Sequence, residues 1–112
     1  MSLEEIIQKL NLRVLTTPKD FANIRPHGGY CSDLLSCVMA GAKVGDLWVT
    51  LQAHINIVAV AALTDCVAII ITEGASLEQE VLEKANAQGM TLLVSSDNNY
   101  QVAGQLWELG IR

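Results

Sequence analysis

The stretch Asp46–Gly74 limits the possible folds more than any other part of the chain. Within it, Leu47–Leu51 and Val67–Ile71 are runs of β-branched and other apolar residues of strand length. Continuous runs of this kind are typical of strands that are buried on both faces, as in a parallel sheet. The Gln52–Cys66 connection is long enough for a crossover helix, and its Ala-rich segment Asn56–Leu63 supplies one. The stretch therefore predicts a right-handed strand–helix–strand unit.

Helical signals before and after this unit alternate with further strand-like runs. Helix starts are predicted at four places: capping boxes at Ser2–Glu5 and Ser76–Gln79, and caps at Ser32 or Asp33 and at Ser96 or Asp97. The helix Leu34–Ala42 is expected to face the core with five apolar side chains, those of Leu34, Leu35, Val38, Met39 and Ala42. In the last helix, the side that faces the core is expected to consist of Val102, Ala103, Leu106 and Trp107. This alternation predicts an α/β fold for the single domain 1–112, a three-layer, mostly parallel β-sheet of about five strands with helices on both faces.

Two short strand candidates remain without an assigned neighbour. Arg13–Thr16 has the composition of a short strand. Pro26 and the Gly28-Gly29 pair argue against a central strand in Pro26–Tyr30 but allow a short edge strand. The sequence leaves open which edge of the sheet each segment joins.

Charge and composition exclude several classes of function. The 112 residues carry a net charge of −5 with no basic stripe that would neutralise nucleic-acid phosphates. The longest apolar run, Ile57–Leu63, is far shorter than the roughly 20 residues of a membrane span, and the N-terminus lacks the basic region of a signal peptide. Three cysteines without framework spacing favour reduced thiols. We therefore expect a cytoplasmic protein with no nucleic-acid or membrane partner.

Polar residues follow the predicted strands at the points where the strands end. Ligands of open α/β sheets bind at the carboxyl ends of the strands, so these residues are expected to form one edge. The Gly28-Gly29 turn before the second helix is expected to join them. The candidate ligand-binding residues are Gly28, Gly29, Gln52, His54, Asn56, Thr72, Glu73, Gly74, Ser95 and Ser96. The alternative interpretation is that they are ordinary caps and turns, which every α/β fold has.

The sequence offers no catalytic or metal-binding motif. The two glycines match neither phosphate-binding fingerprint. Cys31, Cys37 and His27 lack the spacing of a zinc site, and Cys37 is expected to be a buried, inert thiol. Cys31 lies near a predicted helix start, which is expected to lower its pKa, yet no partner for a nucleophile is evident. We therefore predict no cofactor, no metal and no catalysis.

The Ile57–Leu63 helix lacks the polar stripe of an ordinary surface helix. A helix of this kind is buried on its outer side too, by another helix or by another subunit. We predict a homodimer in which the interface includes Ile57, Val60, Ala61 and Leu63. The alternative is that the N-terminal segment of the same chain covers the helix.

Three groups of residues together resemble the DRTGG domain family: Gly28–Leu35 (GGYCSDLL), Gly45–Thr50 (GDLWVT) and Ile70–Gly74 (IITEG). Such domains occur alone in bacteria and archaea, accompany CBS-domain pairs in regulated inorganic pyrophosphatases, and form part of larger phosphate acetyltransferases. The N-terminal region of HPr kinase/phosphorylase is similar. The resemblance covers most of the chain and implies a non-catalytic, dimerising regulatory module.

The chain departs from the residues that give this family its name. The family's Asp-Arg pair aligns near Ala53-His54, and its Thr-Gly-Gly becomes Thr72-Glu73-Gly74. Because an arginine is lost and a carboxylate gained, a phosphate ligand is disfavoured. A neutral or cationic small molecule, a protein partner, or no ligand is favoured instead.

The leading hypothesis is a non-catalytic regulatory or protein-interaction module, homodimeric, that binds a small ligand at the carboxyl edge of the sheet and acts on a partner protein encoded nearby. The alternative is an adenine-nucleotide-sensing module that regulates a partner enzyme, which the resemblance implies through the CBS neighbours. An enzyme that uses His54 and Glu73 is a third hypothesis, for which the sequence supplies no nucleophile.

Overall fold

One five-stranded sheet organises the computed structural model, which describes residues 1–112. The strand order is β1-β5-β4-β3-β2, with β2 to β5 parallel and β1 antiparallel to β5. The strands are β1 (Arg13–Val14), β2 (Gly28–Cys31), β3 (Asp46–Thr50), β4 (Ala68–Ile71) and β5 (Thr91–Val94). The predicted α/β fold with a mostly parallel sheet is confirmed, and the two edge strands now have their neighbours.

Helices cover both faces of the sheet. They are α1 (Leu3–Lys9), α2 (Leu35–Gly41), α3 (Asn56–Leu63), α4 (Gln79–Gln88) and α5 (Asn99–Glu108), with a short 3₁₀ helix at Phe21–Asn23. Because strands β2 to β5 lie side by side in chain order, crossovers of one hand place α2, α3 and α4 on the same face. Side chains of these helices form one core, and α1 and α5 form a second core on the opposite face.

Strands β3 and β4 are buried on both faces, which explains their uninterrupted apolar sequences. Trp48 points into the α2–α4 core and is fully buried, while Leu47 and Val49 belong to the α1–α5 core. The indole Nε1 of Trp48 donates to the backbone oxygen of Ser32 at 2.9 Å. This bond fixes the end of β2 against β3.

Some helix ends follow the predictions and others do not. The capping box at Ser2 and Glu5 is present. The cap predictions at Ser76 and at Ser96 or Asp97 are wrong, because Glu78 occupies the cap position of α4 and Asn98 caps α5 in a box with Gln101. Neither Ser32 nor Asp33 caps α2, whose first turn follows Leu34.

Helix α3 lies between α2 and α4, and this position corrects the expected interface. Ile57 and Ala61 are fully buried and Val60 is 9% exposed, all within the core that one chain forms by itself. Only Leu63 of the four predicted interface residues faces solvent, with 71% of its surface exposed. The neighbouring crossover helices cover α3, and α1 lies on the opposite face of the sheet.

Helix α2 exposes more apolar surface than its sequence pattern predicts. Leu34 and Met39 were expected in the core but are exposed, and only Val38 of the helix is fully buried. The physical reason is that α2 lies over the edge strand β2, so it has a helix neighbour on one side only. Trp107 of α5, also expected in the core, is exposed as well.

Candidate functional site

A cluster of polar side chains joins the carboxyl ends of the parallel strands. The Asp33 carboxylate, just after β2, accepts from the Thr50 hydroxyl at 2.9 Å and from the Leu51 amide at 2.8 Å, both at the end of β3. It also accepts from the Asn99 side chain, whose Nδ2 lies 3.2 and 3.3 Å from its two oxygens. Asn99 in turn accepts from the Thr72 hydroxyl at 2.6 Å, after β4. One hydrogen-bonded chain therefore links the ends of β2, β3 and β4 to the first residue of α5.

The Asp33 carboxylate remains ionised because of these donors. Partial desolvation raises the pKa of Asp33, but hydrogen bonds from the Leu51 amide, Thr50 and Asn99 outweigh it and hold the pKa below the ordinary value of 3.8. The cluster thus supplies a fixed negative charge at the carboxyl edge of the sheet.

Several predicted ligand residues belong to this edge, although their polar groups are largely engaged within the protein. Gln52 donates from Nε2 to the Asp33 backbone oxygen at 3.3 Å, and Thr72 is fully buried. Ser95 is buried and accepts from the Asp97 amide. The amides of Glu73 and Gly74 donate to the backbone oxygens of Asp97 and Ser95, which tie the β4–α4 loop to the β5–α5 loop. The Ser96 residue and the Glu73 residue are exposed.

Gly28 and Gly29 do not lie at the carboxyl edge, and the prediction that placed them there is wrong. Gly28 pairs with Asp46 and Gly29 with Leu47, at the start of β3. The two glycines therefore lie at the amino end of the sheet. The sequence argument failed because it treated them as the turn before α2, whereas they form the first half of β2.

A cavity of about 310 Å³ opens at the carboxyl edge between the β3–α3 and β4–α4 connections. The Nδ1 atom of His54 accepts from the Asn56 amide at 3.1 Å, so the proton of the neutral ring lies on Nε2. The α4 N-terminus beside the cavity has no side-chain cap. The cavity is lined by Ala53, His54, Ile55, Ser76, Glu78, Glu80 and Val81. The cavity thus combines hydrogen-bond donors and acceptors with two carboxylates and a partly apolar wall.

The cysteines do not form a reactive site. Although Cys31 is exposed at the surface, partial desolvation raises the pKa of its thiol and the Asp33 charge raises it further, so the expected lowering by a helix N-terminus is wrong. Burial likewise raises the pKa of Cys66. Cys37, expected in the core, is exposed. No group of three or more His, Cys, Asp or Glu side chains has a metal-binding arrangement, and none of the helices has the length and hydropathy needed to cross a bilayer.

Sequence reasoning missed the two residues at the centre of the polar cluster. The sequence pattern indicates a helix cap at Asp33, and Asn99 is not among the candidate ligand-binding residues. Both follow strands of the parallel sheet, so the rule that collected the other residues would have included Asp33 if β2 had been assigned.

Comparison with known proteins identifies the family. Among solved structures, the chain is similar to the CBS and DRTGG domains of the regulatory region of Clostridium perfringens pyrophosphatase, solved in complex with its activator, diadenosine tetraphosphate. The TM-score is 0.74 at 16% sequence identity, over 94% of this chain and 45% of that one, so the likeness shows the fold and spans less than half of the longer chain. No curated protein matches the sequence. A family model for the DRTGG domain matches residues 37–109, well over half of the chain, which confirms the resemblance seen in the sequence. The chain belongs to the DRTGG domain family.

Proposed function

We propose that this protein is a non-catalytic regulatory module that binds a small polar ligand in the His54 cavity. The observation that carries the proposal is the composition of this cavity at the carboxyl edge of the sheet, where His54, Ser76 and Glu78 converge. A neutral or cationic molecule with hydrogen-bond donors suits the two carboxylates, Glu78 and Glu80, which repel an anion. The ligand would bridge the β3–α3 and β4–α4 connections and stabilise them relative to each other.

An adenine-nucleotide sensor is the second candidate function. It is supported by the similarity to a pyrophosphatase regulatory region whose activator is diadenosine tetraphosphate. That region contains CBS as well as DRTGG domains. Nucleotide binding to this chain would have to overcome the repulsion between phosphates and the two carboxylates of the cavity.

A thermal-shift screen tests both candidates. We expect polyamines, amino acids or other neutral and cationic metabolites at millimolar concentration to raise the melting temperature, because a ligand at 100 times its Kd stabilises the folded state by about 2.7 kcal/mol. Glu78→Gln should abolish the shift, whereas Glu83→Gln, on the exposed side of α4, should not. Adenine nucleotides as the best ligands would favour the sensor, and the absence of any shift would refute ligand binding.

We also propose that the module is a homodimer that uses the outer sides of α2 and α3. Neither helix contains a charged residue, in contrast to α4. Met39 of α2, Leu63 of α3 and Leu34, which directly precedes α2, are exposed. A two-fold interface places each patch against its own copy, so an uncharged patch avoids repulsion in a chain of net charge −5. A protein partner, expected from a neighbouring gene, would bind elsewhere on the module.

Leu63→Glu should convert the dimer into a monomer while the chain stays folded, because the side chain is exposed and each copy would place an unpaired carboxylate in an apolar interface. Sedimentation velocity at micromolar concentration measures the change. Tyr100→Glu, an equally drastic change at an exposed position on the opposite face of the sheet, is the control and should remain dimeric. A wild-type chain that sediments as a monomer of 12.1 kDa would refute the dimer.

A further inference from the structure

The edge strand β2 has an open hydrogen-bonding side. It pairs with β3 only, and its other side has no strand neighbour. Its four residues, Gly28–Cys31, include no charged residue and no proline, and Gly29 and Cys31 are exposed. The opposite edge, β1, has only two residues and carries Arg13. Natural sheets usually protect an edge by shortening it or by charging it, and β2 shows neither device.

Two recesses lie beside this strand and share residues. An apolar slot of about 100 Å³ lies on the α5 face and is lined largely by Tyr30, Val49, Leu106, Trp107 and Ile111. A larger cavity of about 550 Å³ lies toward the end of α2. Gly29, Tyr30 and Arg112 line both. A ligand that follows β2 would therefore contact both recesses without leaving the strand.

The larger cavity is basic although the protein is acidic. Lys43 and Arg112, two of only seven Lys and Arg residues in a chain of net charge −5, line it together with His27. The Arg112 guanidinium lies 5.2 Å from the centre of the Trp107 ring, and its Nε donates to the Trp107 backbone oxygen at 3.1 Å, so Lys43 supplies the positive charge that is not engaged within the protein. The one acidic side chain in its wall, Asp46, is largely buried and accepts from the Lys43 backbone amide at 2.9 Å. The cavity thus favours a partner with a negative charge.

The Tyr30 ring packs against α2, where a glycine gives it room. A Cβ atom at Gly41 would lie 2.6 Å from the Tyr30 ring and hydroxyl. A side chain at position 41 would therefore displace the ring, and the glycine lets the ring pack closely against the helix. Gly29 differs, because a Cβ there would meet nothing closer than 3.6 Å. A side chain at position 29 would thus make only an ordinary contact, and the free edge of β2 follows from its position at the end of the sheet.

We propose that the free edge of β2 docks an extended acidic segment of a partner protein, which adds a strand to the sheet. Successive side chains of a strand point to opposite faces. One side chain of the docked segment would thus enter the apolar slot while a neighbouring carboxylate enters the basic cavity. The proposal rests on the role as an interaction module, but it involves the opposite end of the sheet from the His54 cavity.

Selection of random dodecapeptides displayed on phage tests this proposal. Selection against the wild-type protein should enrich sequences in which an acidic residue stands directly beside an apolar one. When a synthetic version of a selected peptide is added to the protein, the chemical-shift changes of the protein's backbone amides should centre on Gly28–Cys31. Lys43→Glu should weaken binding roughly tenfold or more. Lys84→Glu, the same charge change at an exposed position on α4, should have no such effect.

Three outcomes would overturn the proposal: no enrichment over a blank selection, shift changes centred on His54 and Ser76 instead of β2, or equal weakening by the two lysine variants. Self-association of two copies through β2 would also overturn the proposal. It would appear as a change in sedimentation coefficient, relative to the wild type, in the Lys43→Glu variant but not in Lys84→Glu. N-methylation of alternate peptide amides removes strand hydrogen bonds and should abolish binding. Loss of ligand binding at the other edge would leave all these results unchanged, so failure of the two proposals is distinguishable.

Discussion

Val60→Glu should unfold the protein at moderate temperature rather than separate two subunits. Val60 is 9% exposed and packs in the core shared by α2, α3 and α4. A carboxylate there would lose its hydration without gaining a partner, which costs about 3–5 kcal/mol. That is a large share of the 5–15 kcal/mol that stabilises a typical domain. Urea denaturation followed by circular dichroism measures the loss.

The Leu63→Glu variant is the matched comparison, since it places the same charge on the same helix at an exposed position. Its free energy of unfolding should remain within about 0.5 kcal/mol of the wild-type value when compared as a monomer. An equal free energy of unfolding for Val60→Glu and Leu63→Glu would contradict the packing of α3 between α2 and α4.

Asp33→Ala should destabilise the fold by about 2 kcal/mol, even after allowance for solvent screening of this half-exposed group. The substitution removes the acceptor of the Thr50 hydroxyl, the Leu51 amide and the Asn99 side chain at once. A loss of this size lowers the melting temperature by roughly 10 °C in a domain of this length. Calorimetry of Asp33→Ala, Asn99→Ala and the double variant should show strong non-additivity, because both residues belong to one network. Additive losses would contradict the network.

The Asp33 contribution should depend on pH in a defined direction. Its pKa is lower in the folded than in the unfolded chain, so its stabilisation is present above the ordinary value of 3.8 and is lost as pH falls through the folded pKa. The difference in unfolding free energy between the wild type and Asp33→Asn should therefore be largest near neutral pH and shrink below about pH 4. A difference that stays constant down to pH 2 would contradict the lowered pKa.

The central strands could be predicted because burial on both faces requires a continuous apolar run, and their sequences contain such runs. Ile69 and Ile70 face different cores, and an apolar residue is required at both. The edge elements were harder to predict, because a helix over an edge strand needs only part of its apolar surface for packing. Leu34 and Met39 therefore satisfied a helical pattern without being buried.

The polar edge was predicted in outline, but its connections were not. The rule about carboxyl ends gathered Gln52, Thr72 and Ser95 correctly, since each follows or ends a strand. It does not reveal which side chains bond to each other, and Asp33 has a short polar side chain that suits a helix cap equally well. Only the three-dimensional position of β2 beside β3 brings Asp33 to Thr50.

Helix α5 connects the two ends of the sheet. Its first residue, Asn99, is bonded into the polar cluster at the carboxyl edge. Its last turns, at Leu106 and Trp107, form a wall of the apolar slot beside β2. A ten-residue helix is a stiff rod about 15 Å long. One rigid element therefore joins the polar cluster at the carboxyl edge to the apolar slot beside β2, and the two surfaces share a single structural support.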